Sequence, residues 1–94
     1  MEIVDRVRKS ARLKLLFLPH AVRQMSRPER LIEVSEIRQV VEVGVLIEDY
    51  PEDARGHSCL LLGWGVEARP VHVVCAPKEQ FLAIITAYVP SREE

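Results

Sequence analysis

The chain has no surplus of basic residues and no long apolar run. Its 94 residues include 13 Lys and Arg against 14 Asp and Glu, which gives a formal net charge of -1 at pH 7. Because free-standing nucleic-acid binders usually carry a basic surplus, any contact with RNA or DNA has to depend on a local patch. No apolar segment approaches the roughly 20 residues that span a bilayer, so we expect no membrane association.

Cysteine is also scarce. Only Cys59 and Cys75 are present, whereas a disulfide framework in a small secreted protein needs more cysteines. The N-terminal residues 1–6 do not have the form of a signal peptide. We therefore predict two buried thiols that pack as small hydrophobic side chains, and a cytoplasmic, reducing location.

The composition is that of a globular domain. Hydrophobic residues make up 48% of the chain and charged residues 29%, which argues against disorder. This length suits one domain, predicted over residues 1–94, with an N-terminal helix at 1–12 and a frayed tail at 91–94.

Helical and strand periodicity occupy different halves of the chain. Ile3, Val7 and Ala11 follow an i, i+4, i+8 pattern, which predicts an amphipathic helix with its basic side chains in solvent. The basic side chains of this helix could also contact phosphate. The predicted helices are residues 1–12, 20–25 and 33–43, the last ended by Gly44. The predicted strands are residues 13–18, 45–49, 58–64, 71–76 and 81–88.

Short loops between the last three strands predict an antiparallel meander. The predicted fold is therefore α+β, with two to three N-terminal helices packed on a mostly antiparallel sheet of four to five strands. Along the third strand of the second half, Val71, Val73 and Cys75 alternate with His72, Val74 and Ala76.

Strict alternation along the last strand groups Leu82 and Ile84 with Thr86 and Tyr88. If the helices cover the apolar faces, then His72, Thr86 and Tyr88 lie on the opposite face of the sheet. That face is also apolar enough to meet a partner chain.

Histidines and an arginine offer acid–base chemistry. His20 and His72 could serve as base and acid, and Arg23, one helical turn after His20, could bind a phosphate. Tyr88 could supply a hydroxyl or a stacking ring. Residue chemistry alone favours a non-catalytic interpretation, in which His20 caps a helix, Arg23 is solvated, and His72 and Tyr88 are hydrogen-bonded parts of the sheet. The histidines have no close-spaced metal-ligand partner, so no metal and no cofactor is predicted.

A distinctive order of short segments runs through the chain. It comprises His20-Ala21, Met25, Ile32, Ile37, Gly44, Ile47-Glu48-Asp49-Tyr50-Pro51, Leu62-Gly63, His72-Val73-Val74 and Ile85-Thr86-Ala87-Tyr88-Val89-Pro90. In this order, over roughly residues 15–91, the chain resembles an uncharacterised family of small bacterial and phage-associated proteins. Members are often encoded beside a zinc-finger protein similar to an antitoxin. Their layout resembles the RelE, ParE and BrnT toxins, which implies an RNA-cleaving or ribosome-directed toxin.

The resemblance marks His20, His72, Thr86 and Tyr88 as site residues, together with the Glu48-Asp49-Tyr50-Pro51 loop. From residue chemistry, the acidic side chains around Tyr50-Pro51 form a solvated loop or a surface that docks a basic partner. The resemblance also has departures: Gln24 stands where the family usually has arginine, with Arg23 one place earlier, about 100° around the helix. Two extra residues, including Pro28, precede Ile32, and Leu31 stands where glycine is usual.

The leading hypothesis is a metal-free ribonuclease of the toxin type. His20 and His72 transfer protons, Arg23 binds the phosphate, Tyr88 orients the nucleotide, and Thr86 and Gln24 contact substrate. Its expected partners are RNA or the ribosome and an antitoxin-like protein. The alternative is a non-catalytic module that binds a partner protein or forms a homodimer. A nucleic-acid binder without chemistry is a third interpretation, which requires salt-sensitive affinity.

Overall fold

A computed structural model describes residues 2–90, and within this range it contains three α-helices and a five-stranded mixed sheet. The predicted α+β class is confirmed. The helices are α1 (Ile3–Leu13), α2 (Pro19–Met25) and α3 (Val34–Val43). The strands are β1 (Leu15–Phe17), β2 (Val45–Tyr50), β3 (Ser58–Trp64), β4 (Pro70–Pro77) and β5 (Leu82–Tyr88). The predicted tail at 91–94 lies outside the described residues.

The sheet has the strand order β1-β5-β4-β3-β2. Strands β2 to β5 pair antiparallel with their neighbours in sequence, so the predicted meander is confirmed. Strand β1 pairs parallel with β5. Parallel neighbours need a long crossover, and here everything from α2 to β4 lies between the two strands in sequence.

The main core lies between the helices and one face of the sheet. From α1 it takes Ile3, Val7 and Ala11, the positions that periodicity predicted. Other members are Ala21, Met25, Ile32, Ile37, Val40, Val41, Cys59, Leu61, Val71, Val73, Cys75, Leu82, Ile84 and Ala87. Burial of this apolar surface is the main favourable contribution to folding. Both cysteines are free thiols inside the core, as predicted.

Two arginines of α1 depart from the prediction that its basic side chains lie in solvent. Arg8 is half-buried and donates from Nε to the carbonyl of Val41 at 3.2 Å and from Nη2 to the carbonyl of Gly44 at 3.0 Å. Arg6 is also half-buried. Carbonyls near the end of a helix lack intrahelical partners, which is why Arg8 is drawn to the C-terminal end of α3.

The strict alternation predicted for the last strand is wrong. Between the pairs Val74↔Thr86 and Cys75↔Ile84 the register shifts, so Ile85 is an extra residue in a β-bulge. The bulge changes which residues share a face. Leu82 and Ile84 are fully buried in the main core, separate from Thr86.

The face of the sheet away from the main core is called the open face below. His72 and Val74 of β4 lie on it, because the alternating residues Val71 and Val73 are fully buried in the core. Thr86 and Tyr88 are the register partners of Val74 and His72 and share this face. A small second cluster, Ala76, Ala83 and Ile85, packs there with Leu18, Val74 and Phe81.

Candidate functional site

A cavity of about 500 Å3 lies on the open face and is called the His20 cavity below. It combines the start of α2, the end of β2, the loop of residues 51–57 and the middle of β4 and β5. Its lining residues are His20, Tyr50, Asp53, Arg55, Val74, Ile85 and Thr86. The volume is in the range of small-molecule sites, and an apolar floor with several polar groups is typical of them.

His20 reaches the cavity because of how α2 is anchored. Pro19 occupies the first turn of the helix, where its missing N–H is not needed, and Leu18 precedes it in an extended conformation. Ala21 is fully buried and Met25 is nearly so, which fixes one side of α2 in the core. The adjacent His20 is exposed and lines the cavity.

The loop of residues 51–57 is held by Asp53. One carboxylate oxygen accepts from the backbone N–H of Arg55 at 2.9 Å and from its Nε at 3.1 Å. The other accepts from Nη2 of Arg55 at 3.0 Å and from the Ser58 hydroxyl at 2.6 Å. Hydrogen bonds from the Arg55 side chain, then from Ser58, hold the pKa of Asp53 well below its usual value. The carboxylate therefore stays ionised and orients the guanidinium at the cavity rim.

Tyr50 closes another side of the cavity. It is the register partner of Ser58 at the end of β2. Burial, and then the nearby charge of Glu48, raise the pKa of Tyr50 above its usual value. Its hydroxyl therefore stays protonated at neutral pH and can donate a hydrogen bond.

His72 and Tyr88 form a pair beside the cavity. The Nδ1 atom of His72 lies 3.2 Å from the Tyr88 hydroxyl, and the ring centroids are 5.2 Å apart at an interplanar angle of 74°. Each residue lies two positions along its strand from a lining residue, Val74 or Thr86. Two residues of a strand span about 6.6 Å, so this pair borders the His20 cavity without lining it.

The structure does not bring Arg23 and Gln24 into the His20 cavity. Arg23 is exposed on α2 and Gln24 is half-buried, and neither lines the cavity. The arginine that does line it is Arg55. Of the six residues proposed from the sequence, His20 and Thr86 meet in the cavity and His72 and Tyr88 border it.

Sequence reasoning missed Asp53 and Arg55. It treated the acidic residues around Tyr50-Pro51 as a solvated loop or a dock for a basic partner. The sequence did contain a signal for this turn. Asp53 precedes Gly56 in a polar connection between two strands, and the short side chain of Asp often hydrogen-bonds the backbone of such turns through its carboxylate. What the sequence does not encode is that this loop folds across the open face.

The third histidine has a separate environment. His57 Nε2 lies 2.5 Å from a carboxylate oxygen of Asp49, and its Nδ1 lies 3.1 Å from Nη1 of Arg6. A guanidinium can only donate, so Nδ1 accepts and the ring proton is on Nε2, which donates to Asp49. His57 thereby ties α1 to the 51–57 loop.

Two further findings concern the described part of the chain. Among residues 2–90, no group of three or more His, Cys, Asp or Glu side chains is arranged to hold a metal ion. None of the helices in this range is long and apolar enough to cross a membrane.

The family model described as "Domain of unknown function (DUF4258)" matches residues 17–89, a stretch that contains every lining residue of the His20 cavity. This chain belongs to the DUF4258 family. Searches of curated proteins and of solved structures gave no match. The DUF4258 match runs from β1 to the residue after β5, so α1 lies outside it.

Proposed function

We propose that this DUF4258 protein is a small endoribonuclease of the toxin type that cleaves RNA by metal-free acid–base catalysis. The observation that carries the proposal is the His20 cavity, where an imidazole, a phenol, a hydroxyl and a guanidinium paired with the Asp53 carboxylate converge over an apolar floor. The resemblance to RelE and BrnT toxins that was inferred from the sequence favours the same reaction class.

The proposed reaction uses the ribose 2′-hydroxyl as nucleophile. His20 accepts the 2′-hydroxyl proton, O2′ bonds to phosphorus, and the bond from phosphorus to O5′ breaks. His72 donates the proton that O5′ takes up, which leaves a 2′,3′-cyclic phosphate and a 5′-hydroxyl. General acid–base catalysis of this kind contributes about 10²–10⁴-fold to the rate.

Other cavity residues bind the substrate in this proposal. Arg55 binds the scissile phosphate, the role that the sequence assigned to Arg23, because Arg55 lines the cavity. Thr86 forms a hydrogen bond to the nucleotide. Tyr88 orients the nucleotide indirectly, through its contact with the His72 ring. Arg23 and Gln24 on α2 contact the flanking nucleotide.

The test is RNA cleavage by purified protein, with and without ribosomes and with a chelator present. We expect 2′,3′-cyclic phosphate ends. The His20→Ala variant should lose about 10²–10⁴-fold in kcat with a smaller change in KM. Gln39→Ala, on the exposed surface of α3, is the matched control and should cleave at the wild-type rate. Absence of cleavage in both conditions, with no growth defect on expression, would eliminate this function.

A second candidate is a non-catalytic module that pairs with a partner protein or with itself. The observation in its favour is β2, in which every residue is exposed. Val45, Leu46 and Ile47 are 52%, 41% and 46% exposed on the outermost strand of the sheet. Exposed apolar edge strands pair readily with other chains. Sizing in solution discriminates: a monomer at all concentrations eliminates self-pairing, and a dimer that Ile47→Lys dissociates supports it.

A further inference from the structure

A second cavity, of about 730 Å3, lies between α1 and the turn from β4 to β5 and is called the α1 cavity below. Its lining residues are Arg6, Lys9, Ser10, Pro77, Lys78, Glu79 and Gln80. Three of these side chains are cationic and one is a carboxylate. In a chain whose net charge is -1, this is a local concentration of positive charge.

The loop of residues 51–57 joins the α1 cavity to the His20 cavity. Lys78, which lines the α1 cavity, donates from Nζ to the carbonyl oxygen of Arg55, which lines the His20 cavity. Arg6 contacts the ring of His57 at the end of the same loop. Two cationic side chains of the α1 cavity, Lys78 and Arg6, therefore bind directly to the loop that carries Arg55.

Gly56 makes the close approach of Lys78 to the loop feasible. Its φ of 102° lies in the left-handed region that favours glycine. A Cβ at this position would lie 2.5 Å from Nζ of Lys78. Any larger residue would thus strain the backbone and displace the ammonium group that links the two cavities.

The cationic side chains of the α1 cavity retain N–H donors for a ligand after they have made their hydrogen bonds within the protein. The bond to Arg55 uses one of three N–H donors of the Lys78 ammonium. The contact with His57 uses one of five N–H donors of the Arg6 guanidinium. Lys9 is exposed and lines the α1 cavity.

We infer that Arg55, Lys78, Arg6 and Lys9 form an extended subsite for the phosphates of a single-stranded RNA. This inference rests on the proposed ribonuclease function and places the nucleotides that flank the one in the His20 cavity. Phosphates neutralised by Lys and Arg release counterions, which supplies sequence-independent affinity. Because Asp53 already pairs with Arg55, most of this affinity comes from Lys78, Arg6 and Lys9.

The geometry favours a single strand over a duplex. The His20 cavity lies on the open face, whereas the α1 cavity lies beside a helix that packs on the other face. A ligand in both has to turn around the end of the sheet, in a molecule with a longest extent of 35 Å. Duplex DNA is stiff over roughly 150 base pairs and cannot make such a turn cheaply, whereas a single strand can.

The test measures binding of a fluorescent 12-nucleotide RNA, 2′-O-methylated so that it lacks the proposed nucleophile. We expect log K against log salt to have a slope of roughly -2.8 for four phosphate contacts. The Lys9→Gln variant should reduce the slope by about 0.7 and weaken binding about three- to tenfold at low salt. Lys78→Gln should weaken binding at least as much. Arg12→Gln, an exposed residue of α1 that does not line the α1 cavity, is the control and should bind as wild type.

Wild-type affinity and salt slope in both lysine variants would overturn the inference. Displacement of the RNA by poly-glutamate of equal charge would also overturn it, because the subsite would then recognise negative charge alone. Cleavage assays distinguish a failure of the subsite inference from a failure of the proposed ribonuclease function. If His20→Ala abolishes cleavage while Lys9→Gln leaves KM for an unmethylated 12-nucleotide RNA of the same sequence unchanged, the ribonuclease function is supported and the subsite is refuted. If Lys9→Gln weakens binding but wild type cleaves no RNA, the subsite stands without catalysis.

Discussion

At the scale of single residues, Leu31 adopts a backbone conformation that is costly for a residue with a side chain. Its φ is 36°, in the left-handed region that favours glycine. The N–H of Leu31 donates to the carbonyl of Arg27 at 2.8 Å and closes a turn. The side chain is 60% exposed, so it contributes little packing that could offset the strain.

The Leu31→Gly variant should therefore be more stable than wild type. A left-handed conformation costs a non-glycine residue about 1–2 kcal/mol, and glycine loses about 0.5–1 kcal/mol in backbone entropy. We expect a net gain of about 0.5–1 kcal/mol in the free energy of unfolding, measured by urea denaturation. Leu31→Ala, which removes the side chain but keeps the strain, is the control. A Leu31→Gly variant no more stable than this control would contradict the explanation.

Glu36 is a buried carboxylate that joins three segments. Only 4% of the residue is exposed. It accepts from Nε and Nη2 of Arg69 at 3.0 and 2.8 Å, and from the backbone N–H of Val66 at 2.8 Å. It also accepts from the N–H of Glu33 and so caps the start of α3. Burial raises the pKa of Glu36, but the bonds from Arg69 and the two backbone N–H groups outweigh it, and the net shift is downward.

The Glu36→Gln variant should lose about 2–3 kcal/mol in the free energy of unfolding. Removal of one partner from a buried ion pair costs about 3–5 kcal/mol, and the partial exposure of Arg69 reduces this. Glu42→Gln, on the exposed side of the same helix, removes equal charge and is expected to change stability by less than about 0.5 kcal/mol. Equal effects of the two substitutions on the free energy of unfolding in chemical denaturation would show that the hydrogen bonds and ion pair of Glu36 add no stability.

At the scale of elements, Gly63 determines how closely α3 approaches β3. A Cβ there would lie 2.9 Å from the Cα of Val40 and 2.9 Å from its Cγ2. Because the first contact is with helix backbone, side-chain rotation cannot relieve it. Strand β3 therefore needs a glycine at this position although β-strands generally disfavour it.

Gly63→Ala is expected to destabilise the protein by about 1–3 kcal/mol, since it forces α3 away from the sheet. The double variant with Val40→Ala relieves the contact to Cγ2 but keeps the contact to the backbone. A thermal or urea double-mutant cycle should then show a coupling of at least about 0.5 kcal/mol between the two positions. Strict additivity would mean that the helix and strand do not meet at this point.

At the scale of the whole molecule, the balanced net charge conceals an uneven distribution. Cations concentrate on α1 and around the α1 cavity, whereas Glu48, Asp49 and Glu52 lie at the end of β2 and in the following loop. Two carboxylates with lowered pKa, Glu36 and Asp53, are bound to arginines in the folded state. Both therefore bind fewer protons when folded than when unfolded.

Stability should consequently fall in acid. For a carboxylate with a lowered folded pKa, the unfolded state takes up more protons, so the stabilisation is complete above the unfolded pKa and is lost progressively as the pH falls through the folded pKa. The unfolded values are 4.5 for Glu36 and 3.8 for Asp53. Urea midpoints measured between pH 7 and pH 3 should decrease below about pH 4.5. The decrease should be smaller in Glu36→Gln, and a midpoint that rises in acid would refute this account.

The sequence alone determined the element order, the fold class, the core side of α1, the burial of both cysteines and the face assignment of β4. These follow from local periodicity, because 3.6-residue and 2-residue repeats report which side of an element is buried. It also pointed to His20 and Thr86, which the structure places in one cavity.

Only the tertiary structure decided the bulge at Ile85, the position of Arg55 and the contact between Lys78 and the 51–57 loop. A bulge adds one residue without a periodic signature, and the path of an irregular loop depends on contacts with residues distant in sequence. The proposed catalytic and RNA-binding groups depend on those long-range contacts, which no local pattern encodes.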